Sequence, residues 1–316
     1  MQNEYFRSGH MACPGCGMAS TIRLVLKALG EKTVVVIIPS CVGVISAAFP
    51  NSTLTVPCFH SAFEIAAPTA AGIAQALKIQ GDEETTVLAL AGDGGTFDIG
   101  LQSLSGAADR NENFLYVCLD NEGYMNTGIQ SSSATPQGAW TTTTPGGRGG
   151  KKKHFMEIIA AHRLPYAATA SIAQPLDLME KIKKAQAVRG TRFIHTLVPC
   201  PTGWRMPEDQ SARSAMQAVA SRIFPLYEIV DGTRYRITHE SQGLPVREYL
   251  EMQGRFRHLS EEAIGGIQQE VDEDWEWLLE MAQTLRRHKL RYRIESIHTL
   301  DNVWRAIDGH KRVELK

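Results

Sequence analysis

Residues 91–131 read AGDGGTFDIGLQSLSGAADRNENFLYVCLDNEGYMNTGIQS, and this stretch decides the fold. An apolar run over 86–91 ends in Gly92-Asp93-Gly94-Gly95. A helical stretch over 101–109 follows. A second apolar run, 114–119, then leads to Asn121, 29 positions after Gly92. Short apolar runs without polar alternation suit strands covered on both faces. Working outward, runs of the same kind occupy 34–38, 166–170 and 193–198, with helical stretches over 62–79, 154–161 and 176–187 between them. Strands alternating with helices at this spacing predict an α/β fold with a doubly wound, mostly parallel sheet.

After Cys200 the style changes. Pro201-Thr202-Gly203-Trp204 breaks the alternation, and a helix is expected over 209–223. A hairpin over 226–230 and 235–238 turns at Asp231-Gly232, and a long charged helix runs over 260–287. The last thirty residues are polar and carry no readable chemistry. We therefore expect residues 1–200 to form the ligand-binding module and 201–316 a C-terminal extension engaged in subunit contacts.

Composition narrows the function. With 43% hydrophobic and 21% charged residues the chain can bury a large core. Lys plus Arg number 33 against 34 for Asp plus Glu, a net charge of −1 that gives no global pull toward nucleic acid or an anionic membrane. The apolar stretch 33–50 is interrupted by Pro39, Ser40, Cys41 and Gly43 and reads as a strand, a turn and a short helix rather than a membrane span. The first residues, Met-Gln-Asn-Glu-Tyr-Phe, lack a basic and an apolar signal region, so a cytoplasmic location is expected. The biased segment 146–153, GGRGGKKK, reads as a mobile, solvated loop.

Parallel neighbours present their C-terminal ends side by side, where ligands of open α/β sheets bind. Asp93 and the Asn121 side chain can meet there at one hard cation, with a loop carbonyl as a third oxygen; Mg²⁺ fills the rest of its octahedron with phosphate oxygens and water. Gly92, Gly94 and Gly95 let the main chain approach a diphosphate and donate N–H groups to it. This GDG…N arrangement resembles the diphosphate-and-magnesium motif of thiamine diphosphate enzymes.

The cysteines form a second constellation. Cys13-Pro-Gly-Cys16 supplies two thiolates in a tight turn, Cys41 follows a strand, and Cys200 lies in Pro199-Cys200-Pro201 at the end of another. Four thiolates converging at one sheet edge can hold a 4Fe-4S cluster, and thiolate count fits a structural zinc site equally well. A thioredoxin-like C-x-x-C pair would leave Cys41 and Cys200 idle. Cys58 and Cys118, in or beside apolar runs, read as buried inert thiols.

Taken in order, GHMACPGCG, Cys41 behind a strand, GDGGTFDIGLQSLSGA, DNEGYMNTGIQSS and PCPTGW resemble the β subunits of 2-oxoacid:ferredoxin oxidoreductases, most closely those acting on pyruvate (pyruvate synthases). The resemblance runs from about Gly9 to Trp204 and more loosely through FPLYE at 224–228 and QGRFRHL at 253–259. It implies the thiamine-diphosphate-binding fold. It also implies Cys13, Cys16, Cys41 and Cys200 as ligands of one 4Fe-4S cluster, and Asp93, Asn121 and the Gly123 carbonyl as Mg²⁺ ligands. Gly92, Gly94 and Gly95 would line the diphosphate, and Asn126 would stand near the reacting carbon. The activity implied is reversible oxidative decarboxylation of pyruvate to acetyl-CoA and CO₂, with electrons passing to ferredoxin and coenzyme A taking the acyl group.

Within that resemblance the carboxylate that activates the aminopyrimidine comes from an α-type, pyrimidine-binding subunit, and γ-type and ferredoxin-like δ subunits, or fused equivalents, complete the assembly. Glu64 reads as a helix-start capping residue rather than a substitute for that carboxylate, and His60 as a plain polar residue. His10 could tune the cluster or cap its turn; Arg23 should pair with a carboxylate. Cys41 follows Ile-Pro-Ser where the usual pyruvate pattern has Ala-Thr-Gly, and EIAAPTAAG at 64–72 replaces ENAAAVASG. Oxalate (without coenzyme A), 2-oxoisovalerate, 2-oxoglutarate and indolepyruvate are therefore alternatives to pyruvate.

Overall fold

A computed structural model describes residues 4–47 and 50–291, with side chains to residue 283. Among the described residues eight strands form one sheet: β1 (Thr33–Ile37), β2 (Cys58–His60), β3 (Thr86–Gly92), β4 (Leu115–Asp120), β5 (Tyr166–Ser171), β6 (Arg192–Leu197), β7 (Tyr227–Val230) and β8 (Arg234–Ile237). Their spatial order is β2-β1-β3-β4-β6-β5-β7-β8. All neighbours from β2 to β5 run parallel, while β7 and β8 add antiparallel. The doubly wound, mostly parallel α/β sheet expected from the alternation is present, and its five apolar runs lie within a residue of the observed strands.

The unbroken apolar runs are explained by two covered faces. Val35 and Ile37 point into one core with Leu88, Leu90, Leu115 and Val117; Val36 and Ile38 point into the other with Val87, Ala89, Phe114 and Tyr116. Among the described residues the α-helices are α1 (Gly17–Leu29), α2 (Cys41–Ser46), α3 (Ala66–Ile79), α4 (Leu101–Asp109), α5 (Phe155–Ala161), α6 (Pro175–Ala187), α7 (Pro201–Trp204), α8 (Ser211–Ala220), α9 (Val246–Leu250) and α10 (Glu261–Arg291). Met18, Ile22, Val25, Leu26 and Leu29 of α1 form a stripe at helical spacing that covers the first face together with Leu178 and Ile182 of α6. Residues of α3, α4 and α5, with Leu278 of α10, cover the second.

Beyond residue 200 the chain returns to the same sheet. β7 pairs with β5, and β8 follows through a turn with Asp231 at φ 51° and Gly232 at φ 65°, both left-handed as a type I′ hairpin requires. A third core, with Leu197, Trp204, Phe224, Tyr249 and Phe256, packs beneath α8, α9 and the start of α10. The polar tail from residue 292 lies outside the described residues. Among the described residues no helix is long and apolar enough to cross a membrane.

Candidate functional site

In the sheet, β1, β3, β4 and β6 are consecutive neighbours. Cys41, Asp93, Asn121 and Cys200 each follow the C-terminal end of one of these strands. That order gathers one edge of chemistry from residues up to 159 positions apart.

Asp93 is buried, at 1% exposure, and its Oδ2 accepts a 2.5 Å hydrogen bond from Ser132 Oγ. Burial and the neighbouring Asp120 carboxylate push its carboxyl well above the usual range. The Asn121 amide oxygen lies 3.0 Å from Asp93 Oδ1 and 2.9 Å from the Gly123 carbonyl oxygen. Three acceptors so placed repel unless the amide is turned or a cation sits among them. Mg²⁺–O bonds of about 2.0–2.1 Å put adjacent oxygens of an octahedron about 2.9 Å apart. Both spacings match such an edge, so the donor set fits Mg²⁺ when the amide oxygen faces Asp93 and Gly123. The other end of the same amide, Nδ2, is 3.8 Å from Cys41 Sγ.

A glycine-rich turn was expected to leave room for a diphosphate. Two of its glycines also leave room for side chains. A Cβ on Gly94 would stand 2.1 Å from Tyr124 Cε1, and one on Gly95 2.3 Å from Ile38 Cδ1. Residues Gly94–Asp98 then form a single π-helical turn, a feature frequent at functional sites.

The thiols meet because separate segments are tied together. Cys16 N–H donates to the Cys13 carbonyl at 3.1 Å, closing the C-x-x-C turn at the start of α1. Gly17 N–H donates to the Pro199 carbonyl at 3.0 Å and Ser211 Oγ to the Gly15 carbonyl at 2.5 Å, which docks that turn against the Cys200 segment. Met11 N–H reaches the Ile45 carbonyl on α2, the helix that Cys41 opens. Burial, then the charges of Cys200, Cys16, Asp93 and Cys13, pushes the Cys41 thiol up to about 12. Burial raises Cys200 to about 11, against the Gly203 N–H that donates to its Sγ at 3.3 Å. A bound metal ion or cluster reverses that preference by taking the thiolates as ligands.

Other expectations meet mixed outcomes. Asn126 stands exposed on the turn beyond Gly123. Arg23 pairs with Glu4 through two 2.8 Å bonds. His10 stacks on Phe6 and accepts from Ala12 N–H, so it caps its turn, and His60 is exposed at the end of β2. Cys118 is buried. Cys58 is not: it is half-buried on β2, a strand of three residues too short to show a period. Glu64 does not cap α3, which begins at Ala66 without a side-chain cap; its side chain is exposed.

The basic segment is the main correction. It is pinned at Arg148, Lys152 and Lys153, while Gly146, Gly149, Gly150 and Lys151 are exposed. Arg148 Nη1 donates to the Ser132 and Thr135 carbonyls at 2.5 Å each, and Lys153 Nζ reaches the Phe97 carbonyl. Lys152 Nζ bonds Asp120 Oδ2 at 2.8 Å and Glu122 Oε1 at 3.1 Å. His195 Nε2 is 2.7 Å from the same Asp120 oxygen. Burial would raise Asp120, but Lys152 and His195 outweigh it and hold the carboxyl at about 2. These groups were missed because Lys152 lies 32 positions from Asp120 and Arg255 133 from Glu122; a carboxylate at the end of a buried strand was the available signal.

Comparison with known proteins identifies the architecture. The model of the thiamine pyrophosphate enzyme C-terminal TPP binding domain matches residues 40–196. The ketoisovalerate oxidoreductase subunit VorB of Pyrococcus furiosus is 46% identical over 297 residues, covering 89% of this chain and 94% of its own. The pyruvate synthase subunit PorB of Methanocaldococcus jannaschii is 47% identical over 285 residues, covering 86% and 95%. This chain belongs to the family of β subunits of 2-oxoacid:ferredoxin oxidoreductases. Members of this family are oxidoreductases that work with partner subunits. In fold, the chain is similar to the 2-oxoglutarate:ferredoxin oxidoreductase from Magnetococcus marinus (TM-score 0.57, 20% identity, 84% of this chain and 94% of that one).

Proposed function

We propose that this β subunit binds thiamine diphosphate through Mg²⁺ and carries one 4Fe-4S cluster, and that with its partners it oxidatively decarboxylates pyruvate to acetyl-CoA and CO₂. The observation that carries the reading is Asn121. Its amide oxygen belongs to the oxygen triad and its amide nitrogen approaches Cys41, so one side chain joins the diphosphate end of the site to the thiols.

Asp93, Asn121 and the Gly123 carbonyl would hold Mg²⁺, and Gly92, Gly94 and Gly95 would line the diphosphate. Thiamine diphosphate, when bound, supplies the electron sink for loss of CO₂ from a 2-oxoacid. Cys13, Cys16, Cys41 and Cys200 would hold the cluster that takes the electrons on singly, toward ferredoxin. The N–H groups of Met18 and Ala19 on Cys16 and of Gly203 on Cys200 suit cluster sulfurs, whose potential such bonds tune. Asn126 extends beyond the triad, where it would reach the reacting carbon.

Partners complete the site. Phe59 is exposed on β2, and Val44, Ile65 and Ile99 on segments that follow β1, β2 and β3. We assign these exposed apolar side chains to the contact with the α-type subunit that brings the activating carboxylate. The γ-type and ferredoxin-like δ subunits would relay electrons, and the assembly would work in the cytoplasm.

Pyruvate leads because the Methanocaldococcus jannaschii PorB relative matches at 47%; 2-oxoisovalerate stands second because VorB relatives match at 46%. The test is dye reduction by the anaerobically co-purified complex. Pyruvate- and coenzyme A-dependent reduction supports the proposal. Turnover only with 2-oxoisovalerate, or with oxalate and no coenzyme A, overturns the substrate. No reduction with any 2-oxoacid overturns the chemistry.

A further inference from the structure

Glu122, between Asn121 and Gly123, has φ 65° and is 2% exposed. A left-handed backbone costs a non-glycine residue about 1 kcal/mol or more and persists where surroundings impose it. Here they do so from every side. Asn121 O accepts from Trp204 Nε1 at 2.8 Å, Glu122 N–H donates to Asp120 Oδ1 at 2.8 Å, and Glu122 O accepts from Thr135 Oγ1 at 2.9 Å. The carboxylate is held from both sides, Oε1 by Lys152 Nζ at 3.1 Å and Oε2 by Arg255 Nη2 at 2.5 Å. Arg255 lies over the Trp204 ring, 4.3 Å from its centroid.

We propose that Lys152 and Arg255 form a cationic clamp on Glu122 that fixes this left-handed turn, and that the turn is what brings Asn121 Oδ1 and the Gly123 carbonyl together for Mg²⁺. The proposal rests on the Mg²⁺ and thiamine diphosphate reading of the site. Lys152 and Arg255 touch neither the triad nor any reacting atom; they are positioning residues.

The test uses the co-purified complex, stripped of divalent metal and thiamine diphosphate with chelator. The readout is the Mg²⁺ concentration giving half-maximal thiamine diphosphate binding, by titration calorimetry, beside a thermal melt without cofactor. Lys152→Met should raise that concentration about 10- to 100-fold, the usual cost of losing a partner that orients a metal ligand. Lys152→Arg should stay within about threefold of wild type, the scale of ordinary non-additivity. Lys152→Met/Glu122→Gly should recover most of the loss, because glycine takes a positive φ unaided and the carboxylate lacking its cation is gone. A merely structural Lys152 would lower the melt and leave Mg²⁺ half-saturation of the folded protein unchanged. That outcome, or a double variant no better than the single, overturns the clamp. Wild-type complex that binds thiamine diphosphate independently of Mg²⁺ overturns the site reading itself, and the clamp with it.

Discussion

Adding one methyl group at Gly94 tests how the diphosphate turn is built. The new Cβ would stand 2.1 Å from Tyr124 Cε1 and 2.7 Å from both Cδ1 and Cζ. Tyr124 cannot retreat with its backbone, since its N–H is bound to the Gln130 carbonyl at 2.9 Å. The ring must swing, and its hydroxyl then leaves Asp98 Oδ2, now 2.8 Å away. Overpacking costs about 1–3 kcal/mol and losing a hydrogen bond to a charged group about 1.5–3 kcal/mol. Tyr124 is half-buried, so we take about 3 kcal/mol for Gly94→Ala. An unfolding entropy of about 2.1 cal/mol/K per residue gives about 0.66 kcal/mol/K for 316 residues. The expected loss in Tm is therefore about 4–5 °C. The assay is a double-mutant cycle with Tyr124→Ala, read by thermal melts. Removing the ring should cancel most of the Gly94→Ala cost, a coupling of about 1–3 kcal/mol. Thiamine diphosphate binding should stay impaired in the double variant, because the Cβ still blocks main-chain approach to the diphosphate. A coupling below about 0.5 kcal/mol, within additivity, would refute the Tyr124 contact as the reason for this glycine.

Asp93→Ala should abolish Mg²⁺-dependent thiamine diphosphate binding with the far-UV circular dichroism unchanged; undiminished affinity would sink the assignment. Cys200→Ser should lose or distort the visible cluster absorbance while Cys58→Ser retains it, and equal loss in both would mean a wrongly chosen fourth ligand. Glu228, fully buried, bonds Lys184 and Arg236 at 2.9 Å and accepts from the Tyr166 hydroxyl at 2.8 Å. Burial would raise its carboxyl, but Lys184 and Arg236 outweigh it and hold it below the usual value. A depressed carboxyl contributes stability above the unfolded pKa and loses it as pH falls through the folded one. Glu228→Gln should thus cost about 3 kcal/mol at pH 7, and its melt should converge with wild type only once pH falls below the depressed folded-state pKa of Glu228. A gap that persists in acid would contradict the charge argument.

How much of this was legible depended on where each signal resided. The parallel strands were readable because strands covered on both faces need unbroken apolar runs, as Val34 to Ile38 and Leu115 to Leu119 show. The positions of the GDG turn, Asn121, Cys41 and Cys200 at strand ends were readable because the apolar runs before them mark where β3, β4, β1 and β6 stop, whereas Cys13 and Cys16 stand in the turn before α1. What failed was pairing across long sequence separations. Lys151, Lys152 and Lys153 read as a solvated run, yet Lys152 answers two carboxylates that the end of β4 buries. β2 was missed because three residues between Pro57 and Ser61 carry no period. The hairpin of β7 and β8 was visible in Asp231-Gly232, but nothing local says that it extends the sheet beside β5.

The central claim is that a thiolate-bound iron–sulfur cluster meets the diphosphate site at Asn121. Iron, acid-labile sulfide and zinc measured per chain after anaerobic purification test it most directly. The account predicts about four irons and about four sulfides per chain, both lost in Cys41→Ser, and no zinc. One zinc per chain without sulfide would contradict it.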